Sequence, residues 1–471
     1  MLGREVAYKY VVAAVFVSAL FIDILDTTIV NVALRTIGTE LQTEALEWIV
    51  LGYTLSLAVW IPASGWLGDR FGTKRVFLAA LVFFVAGSAL CGAAQSIGQL
   101  IAFRVLQGVG GGMLTPIGVA MLFRAFPPIE RARAATIVMV PTLAAPALGP
   151  VLGGLITDTI GWRWIFYVNV PIGLLALAFG LRYLREHVEP GAGRFDLPGF
   201  VLSGYALAAI FYALSEGPRV GWNSPAVVTL GITGVVAFVL LVWVETHKPE
   251  PMLALRLLRD RLFATTNLVM AFAMASFVGL LFVLPLYLQG LRGLDPLDTG
   301  LVTFPQAIGI LVTSQIAGRI YARVGPRRLV VGGMAWVAIS NAGFILLGLD
   351  TDYWVVRALV FARGLGMGLT FVAVQAAGYA RIAPADNGRA SAIFTTQRQV
   401  SVSIGVALSA TVLTAFTSLT AAPADPQRAL EGYRWSFVVS TALAALAAIV
   451  ATRIRDEDAA ATMAAPDRSR S

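Results

Sequence analysis

Fourteen stretches of this chain are apolar over about 20 residues, the length a helix needs to cross a bilayer. They fall at positions 10–34, 46–67, 76–95, 99–123, 134–158, 164–184, 197–215, 225–245, 262–288, 298–322, 329–349, 354–378, 388–416 and 433–452. Lipid offers no partner for backbone N–H and C=O groups, so such stretches fold as helices that bond internally. Composition agrees. Of 471 residues, 58% are hydrophobic and only 13% charged, and mean hydropathy is +0.78, where a soluble domain carries about 25% charge. The expected fold class is all-α and integral to a membrane. The first stretch follows Arg4 and Lys9. It is too long for a signal peptide and has no clear cleavage site, so it is read as a retained span.

Charge sets the orientation. With the N-terminus cytoplasmic, basic clusters fall inside: Arg70/Lys74/Arg75, Arg124/Arg131/Arg133, Arg182/Arg185/Arg194, Lys248/Arg256/Arg259/Arg261, Arg319/Arg323/Arg327/Arg328 and the tail from Arg453. The opposite loops hold few bases and carry Glu40, Glu44, Glu47, Asp295, Asp298, Asp350 and Asp352. This is the positive-inside pattern. It places both termini in the cytoplasm of a multi-pass cell-membrane protein. The 35 Lys and Arg against 27 Asp and Glu therefore report topology, and no nucleic-acid partner is expected. Cys91 is the only cysteine, and His187 and His247 stand far apart in loops. No disulfide, metal or cofactor is expected.

Two loops repeat. Gly65-Trp66-Leu67-Gly68-Asp69-Arg70-Phe71-Gly72-Thr73-Lys74-Arg75 joins two apolar spans. A looser copy, Gly318 to Arg328, joins two more in the second half. Arg104 in the fourth span and Arg363 in the twelfth stand at a similar offset. That offset exceeds a six-helix unit by about two helices. The expected division is a six-helix bundle at 1–185, a linker with two additional helices at 186–261, a second six-helix bundle at 262–455, and a disordered tail at 456–471. Two repeats of this kind are typical of secondary transporters.

The loop at 65–75 resembles the G-x-x-x-D-R-x-G-R-K loop of the major facilitator superfamily. Leu25-Asp26-Thr27-Thr28-Ile29-Val30-Asn31-Val32-Ala33-Leu34 is similar to the first-helix signature of its fourteen-helix drug:proton antiporters, the QacA/EmrB type, with Arg35 where proline is usual. Arg104-Val105-Leu106-Gln107-Gly108 resembles the superfamily's fourth-helix motif. Gly149-Pro150-Val151-Leu152-Gly153-Gly154 matches the G-P-x-x-G-G core of its antiporter motif, with Ala145 in place of the leading glycine. Gly161-Trp162-Arg163-Trp164 resembles the start of the sixth helix in the same family, and its tryptophans suit an interfacial belt.

Ionisable groups inside a membrane are costly and face a cavity, a partner or a proton path. Asp23 and Asp26 lie three apart on the first span and project from nearly one face. The resemblance ties Arg104 to proton transfer; read from the residues alone, it is equally a fixed salt bridge to Asp23 or Asp26. The expected proton-coupling residues are Asp26, Asp23 and Arg104. By resemblance, Gly65, Gly68, Asp69, Arg70, Gly72 and Arg75 form a conformational latch, and Gly149, Pro150, Gly153 and Gly154 an antiporter motif. Asn31, Gln107, Arg363 and Arg398 are candidate cavity residues, with a helix–helix contact as the plainer reading of each.

The resemblance implies proton-driven export of small lipophilic, often cationic, compounds by a monomer that alternates access and draws on the proton gradient. A proton-coupled metabolite carrier or uptake symporter is the alternative, and a non-transporting membrane sensor a more distant one. No phosphate-binding loop, Ser/His/Asp grouping or metal cluster points to an enzyme.

Overall fold

A computed structural model of the chain describes residues 2–42, 47–127, 130, 134, 136–138, 145, 148, 149, 152–157, 159–189, 195–248, 254–294, 296–383, 386–417 and 425–463. Every regular element among them is helical. Helices α1 (Leu2–Glu40), α2 (Glu47–Phe71), α3 (Thr73–Ala93) and α4 (Ile97–Ala125) come first. After the partly described fifth stretch, a single turn, α5 (Trp164–Tyr167), leads into α6 (Asn169–Tyr183). Two helices follow, α7 (Leu197–Val220) and α8 (Pro225–His247). The second half holds α9 (Arg261–Leu286), α10 (Pro296–Thr303), α11 (Pro305–Val324), α12 (Pro326–Ile345), α13 (Tyr353–Gly378), α14 (Asn387–Thr414) and α15 (Pro426–Ala451).

Twelve spans among the described residues are long and apolar enough to cross a membrane, against the fourteen expected. Stretch 134–158 is described only in part, at 134, 136–138, 145, 148, 149 and 152–157. Stretch 388–416 is a continuous helix, α14, but Gln397, Arg398, Gln399, Ser401 and Ser403 dilute its apolar content. It meets α2, α4, α7, α9 and α15, and so is screened from lipid on several sides.

Packing separates core helices from lipid-facing ones. In the apolar window of Ile97–Ala125, 83% of residues are buried; in that of Pro225–His247 only 22% are. The first belongs at the centre of a bundle and the second at its rim. In the first half α2 and α3 pack on α4, and α6 packs on α1 and α3. In the second half α11 and α12 pack on α13, while α9 packs on α14 and α15. The hairpin α7–α8 leans on both halves through α7, which touches α2 and α14.

The loop repeat has a physical counterpart. Gly72, at φ 98°, is the single residue between α2 and α3, and Gly325, at φ 84°, is the single residue between α11 and α12. Helix α3 has no side-chain cap of its own. Instead Glu186, just beyond α6, accepts from the backbone N–H of Lys74 at 2.9 Å and of Arg75 at 3.1 Å. Asp456, just beyond α15, accepts likewise from Arg327 N–H at 2.9 Å. Carboxylates at helix N-termini satisfy orphan donors and oppose the helix dipole. A Cβ on Gly72 would stand 2.3 Å from Glu186 Oε1, and one on Gly325 2.7 Å from Asp456 Cγ. Each glycine is thus required by its φ and by the acid above it.

The expected disordered tail at 456–471 is corrected over 456–463, while 464–471 lie outside the described residues. Residues Asp456–Met463 form a 3-10 turn and a short helix, held by Asp456 and by a 2.8 Å bond between Tyr321 and Thr462 hydroxyls.

Candidate functional site

The two acids of α1 reach into the first half, where helices α1, α2, α3, α4 and α6 converge. Asp26 is fully buried. Arg104 Nη1 of α4 donates to its Oδ2. Gln107 Nε2, one turn further along α4, donates to Oδ1 at 2.9 Å. Asn169 Nδ2, at the start of α6, donates to the same oxygen at 2.9 Å. Asn169 is steadied by Ser88 Oγ of α3 at 3.1 Å, and Ser88 in turn donates to Phe166 O at 2.8 Å.

Arg104 is as deeply buried as its partner. Its Nε donates to Ile49 O at 3.1 Å and its Nη1 also meets Gln107 Oε1 at 2.8 Å. Its Cζ lies 4.3 Å from the Tyr53 ring centroid, a cation–π contact. Tyr53 then spends its hydroxyl on Asp23, donating to Oδ1. The two carboxylates are therefore linked through Tyr53 and Arg104. Cys91 directs its thiol at Gln107 Oε1, 3.7 Å away.

The cavity residues divide. Gln107 is fully buried and belongs to the Asp26 cluster. Arg363 is also fully buried. Its Nη1 donates to Gln306 Oε1 at 2.5 Å and its Nη2 to Phe277 O at 2.7 Å and Ser276 O at 3.3 Å, while Nε has no partner among the described residues. It acts as a clamp between α9, α11 and α13. Arg398 lines a small cavity of about 30 Å³ together with Leu20, Gln375, Tyr379 and Thr395. The Asn31 side chain and Pro150 lie outside the described residues.

The latch loop meets α14. Asp69 is 3% exposed, and its Oδ1 lies 3.2 Å from where a Cβ on Gly388 would stand. It thus faces the first turn of α14, where an anion opposes the helix dipole. A Cβ on Gly65 would stand 3.1 Å from Gly388 O, so α2 and α14 approach backbone to backbone. The same end is closed by Ser391 Oγ donating to Pro116 O at 2.9 Å and by the Phe123 and Tyr379 rings, 4.7 Å apart. Gly68 has ordinary room around it, Arg70 is exposed, and Arg75 pairs with Glu186 at 3.6 Å.

In the antiporter motif, a Cβ on Gly149 would stand 2.2 Å from Thr28 Oγ1 of α1, so this glycine permits close helix contact. Gly153 is buried, whereas Gly154 borders open space. Trp162 does not anchor at an interface. It is buried and donates its indole N–H to Glu40 Oε2 at 2.7 Å. Arg163 holds the other oxygen. Those bonds, Arg163 first, draw the Glu40 carboxyl below its ordinary range. The exposed tryptophan there is Trp164.

Sequence reasoning did not single out Tyr53, Ser88 or Asn169. Each is an ordinary residue on a helix other than α1. Among the described residues no group of three or more His, Cys, Asp or Glu could hold a metal ion.

A sequence profile described as Major Facilitator Superfamily matches residues 16–406. The "Multidrug resistance protein B homolog" of Mycobacterium tuberculosis is 35% identical over 410 residues, covering 85% of this chain and 76% of that protein. "Multidrug resistance protein 3" of Bacillus subtilis is 32% identical over 416 residues, covering 88% and 81%. Among solved structures, the human organic anion transporter MFSD10 (TETRAN) aligns with a TM-score of 0.63 at 15% identity, covering 94% of this chain and 99% of that one. At that identity the likeness concerns the fold alone. The chain belongs to the Major Facilitator Superfamily, and is a multi-pass membrane transporter rather than an enzyme.

Proposed function

We infer that this protein exports small lipophilic compounds in exchange for protons, as a multidrug efflux antiporter that alternates access and needs no cofactor. The observation that carries this reading is the buried Asp26–Arg104–Gln107–Asn169 cluster, joined through Tyr53 to Asp23. Relatives named for multidrug resistance support the substrate class.

The chemistry is a competition. A proton and Arg104 contend for Asp26 Oδ2, so loading the acid loosens the ion pair between α1 and α4. Among the described residues Asp23 has one side-chain donor, Tyr53. A cationic compound at Asp23 would oppose proton uptake, which is the linkage an antiporter requires.

The basic clusters favour a cytoplasmic location for both termini. On that reading the closed end, at Gly65 and Gly388, faces the cytoplasm. Asp69 at the N-terminus of α14 then serves as the latch that holds it shut.

Transport by purified protein in proteoliposomes with an imposed pH gradient tests the whole reading. Compound should move against the proton flow, and Asp26→Asn should abolish that coupled movement. Movement in the same direction as protons would replace export with symport.

A further inference from the structure

One cavity lies away from the Asp26 cluster, with neither Asp23 nor Asp26 in its lining. It encloses about 930 Å³ between α2, α7, α9 and α14. Small-molecule sites typically span about 300–1,000 Å³, with mostly apolar walls and a few polar groups. Here Phe211, Leu214 and Pro218 come from α7, and Phe282 from α9. Thr54, Ser215, Gln399 and Ser403 supply scattered polar atoms, and the one charged lining residue is Arg428 at the start of α15. That side chain is exposed and has no ion pair among the described residues. Among the described residues no carboxylate lines the cavity.

Helix α7 forms this wall because it bridges the two halves. Leu207 and Phe211 pack with Ala58 of α2, and Leu55 and Val400 complete the cluster. Trp60 meets Phe200 at 5.4 Å and Trp48 meets Tyr212 at 5.9 Å. Beyond the end of α7, Trp222 donates to Thr411 Oγ1 of α14 at 3.1 Å. The cavity sits in the half of the molecule opposite the Gly65–Gly388 closure. Its lining contains neither acid, although Thr54 and Gln399 are chain neighbours of Tyr53 and Arg398.

We propose that α7 forms one wall of a binding pocket for exported lipophilic compounds with a neutral or acidic polar group, which Arg428 receives at the mouth. The hairpin α7–α8 is then part of the substrate route rather than a spacer between halves. This rests on the export reading above and adds to it a second site, distinct from the acids.

The test uses the full-length protein in proteoliposomes with three dyes: neutral N-phenyl-1-naphthylamine, anionic 1-anilinonaphthalene-8-sulfonate and cationic ethidium. Ser215→Trp fills the pocket and should lower export of the neutral and anionic dyes about tenfold, a loss in keeping with blocking an apolar site. Arg428→Ala should raise the half-saturating concentration of the anionic dye several-fold relative to the neutral one. Cys91 is buried, so Ser215→Cys offers a single reactive thiol, and saturating neutral dye should slow its labelling by N-ethylmaleimide. If Ser215→Trp does not fold, Ser215→Leu and the labelling decide. Native export rates in Ser215→Trp, or labelling indifferent to dye, would overturn the proposal. So would slow labelling in phosphatidylglycerol nanodiscs that no dye alters, since the occupant would then be lipid. If the native protein moves none of the dyes, the export reading fails for them, while dye protection of Ser215→Cys still decides whether the pocket binds.

Discussion

The guanidinium carbon of Arg104 lies 4.3 Å from the ring centroid of Tyr53. Because the Tyr53 hydroxyl serves Asp23 and Arg104 serves Asp26, one aromatic ring couples the two acids. Tyr53→Phe keeps the ring and its cation contact but strips Asp23 of that donor. Leaving a buried group unsatisfied costs about 1–3 kcal/mol, so the melting temperature should fall modestly. The sharper effect should be on function: gradient-driven export slows, and cationic substrates bind with altered pH dependence. Transport at native rates with a native pH profile would confine Tyr53 to packing.

Removing the charge of Asp26 has a larger reach. Asp26→Asn leaves Arg104 buried without its carboxylate, and breaking a buried pair in this way costs roughly 3–5 kcal/mol. Expression should drop, and purified protein should release no protons when a drug is added. Asn169→Ala removes one of the three donors and should weaken proton release without abolishing it. The readout is pH change in weakly buffered detergent solution. Equal release from native and Asp26→Asn protein would move the coupling role to Asp23.

Asp26, Asp23 and Arg104 were legible in the sequence because a charge inside an apolar span has few innocent explanations. The fold class was legible for the same reason: span length and charge asymmetry are one-dimensional signals. Tyr53, Ser88 and Asn169 were not, because their roles depend on which face of a distant helix turns toward Asp26, and no spacing within one span encodes that. Trp162 misled for a related reason. A tryptophan near a span end suits an interface, and only Glu40 folding over it shows that it is buried. The α14 stretch has the length of one more span, yet its polar residues mark a helix between neighbours rather than one facing lipid.

The glycine contact between α2 and α14 makes a mechanical prediction. Gly65→Val places branched carbon where Gly388 O lies 3.1 Å from even a Cβ. Backbone cannot yield as a flexible side chain does, so the helices must part at this end. A cysteine at Ser391, which is buried beside Pro116, should then react with a small maleimide several-fold faster than in the native background. Transport should slow, since the closed state is a required stage of alternating access. Unchanged labelling would mean that the contact does not hold the end shut.

The two acid-capped glycine joints should respond alike. Gly72→Ala forces a side chain into a positive-φ position, at a cost of order 1–2 kcal/mol, and drives its Cβ against Glu186. Gly325→Ala does the same against Asp456. Both variants should lose thermal stability. Glu186→Ala and Asp456→Ala should each lose about 0.5–2 kcal/mol, the usual range for an N-terminal cap. A double variant, Gly72→Ala with Glu186→Ala, should recover part of the loss, because the clash is gone and only strain and the missing cap remain. No recovery would separate the glycine from its acid.

Glu40 gives a pH dependence at the opposite end of the first half. Its carboxyl is drawn below the ordinary glutamate range by Arg163, with Trp162 adding a second bond. A depressed folded-state value means that the folded protein holds the proton less tightly than the unfolded chain does. Its contribution to stability is therefore present above the ordinary glutamate range and lost as pH falls through the lowered folded value. The side chain is 47% exposed, so solvent screening keeps the contribution small. Glu40→Gln should lower the melting temperature slightly at pH 7. The gap to the native protein should close as the sample is acidified past the glutamate range. A gap that persists unchanged at pH 3 would show that the indole bond of Trp162, rather than the charge, is what Glu40 provides.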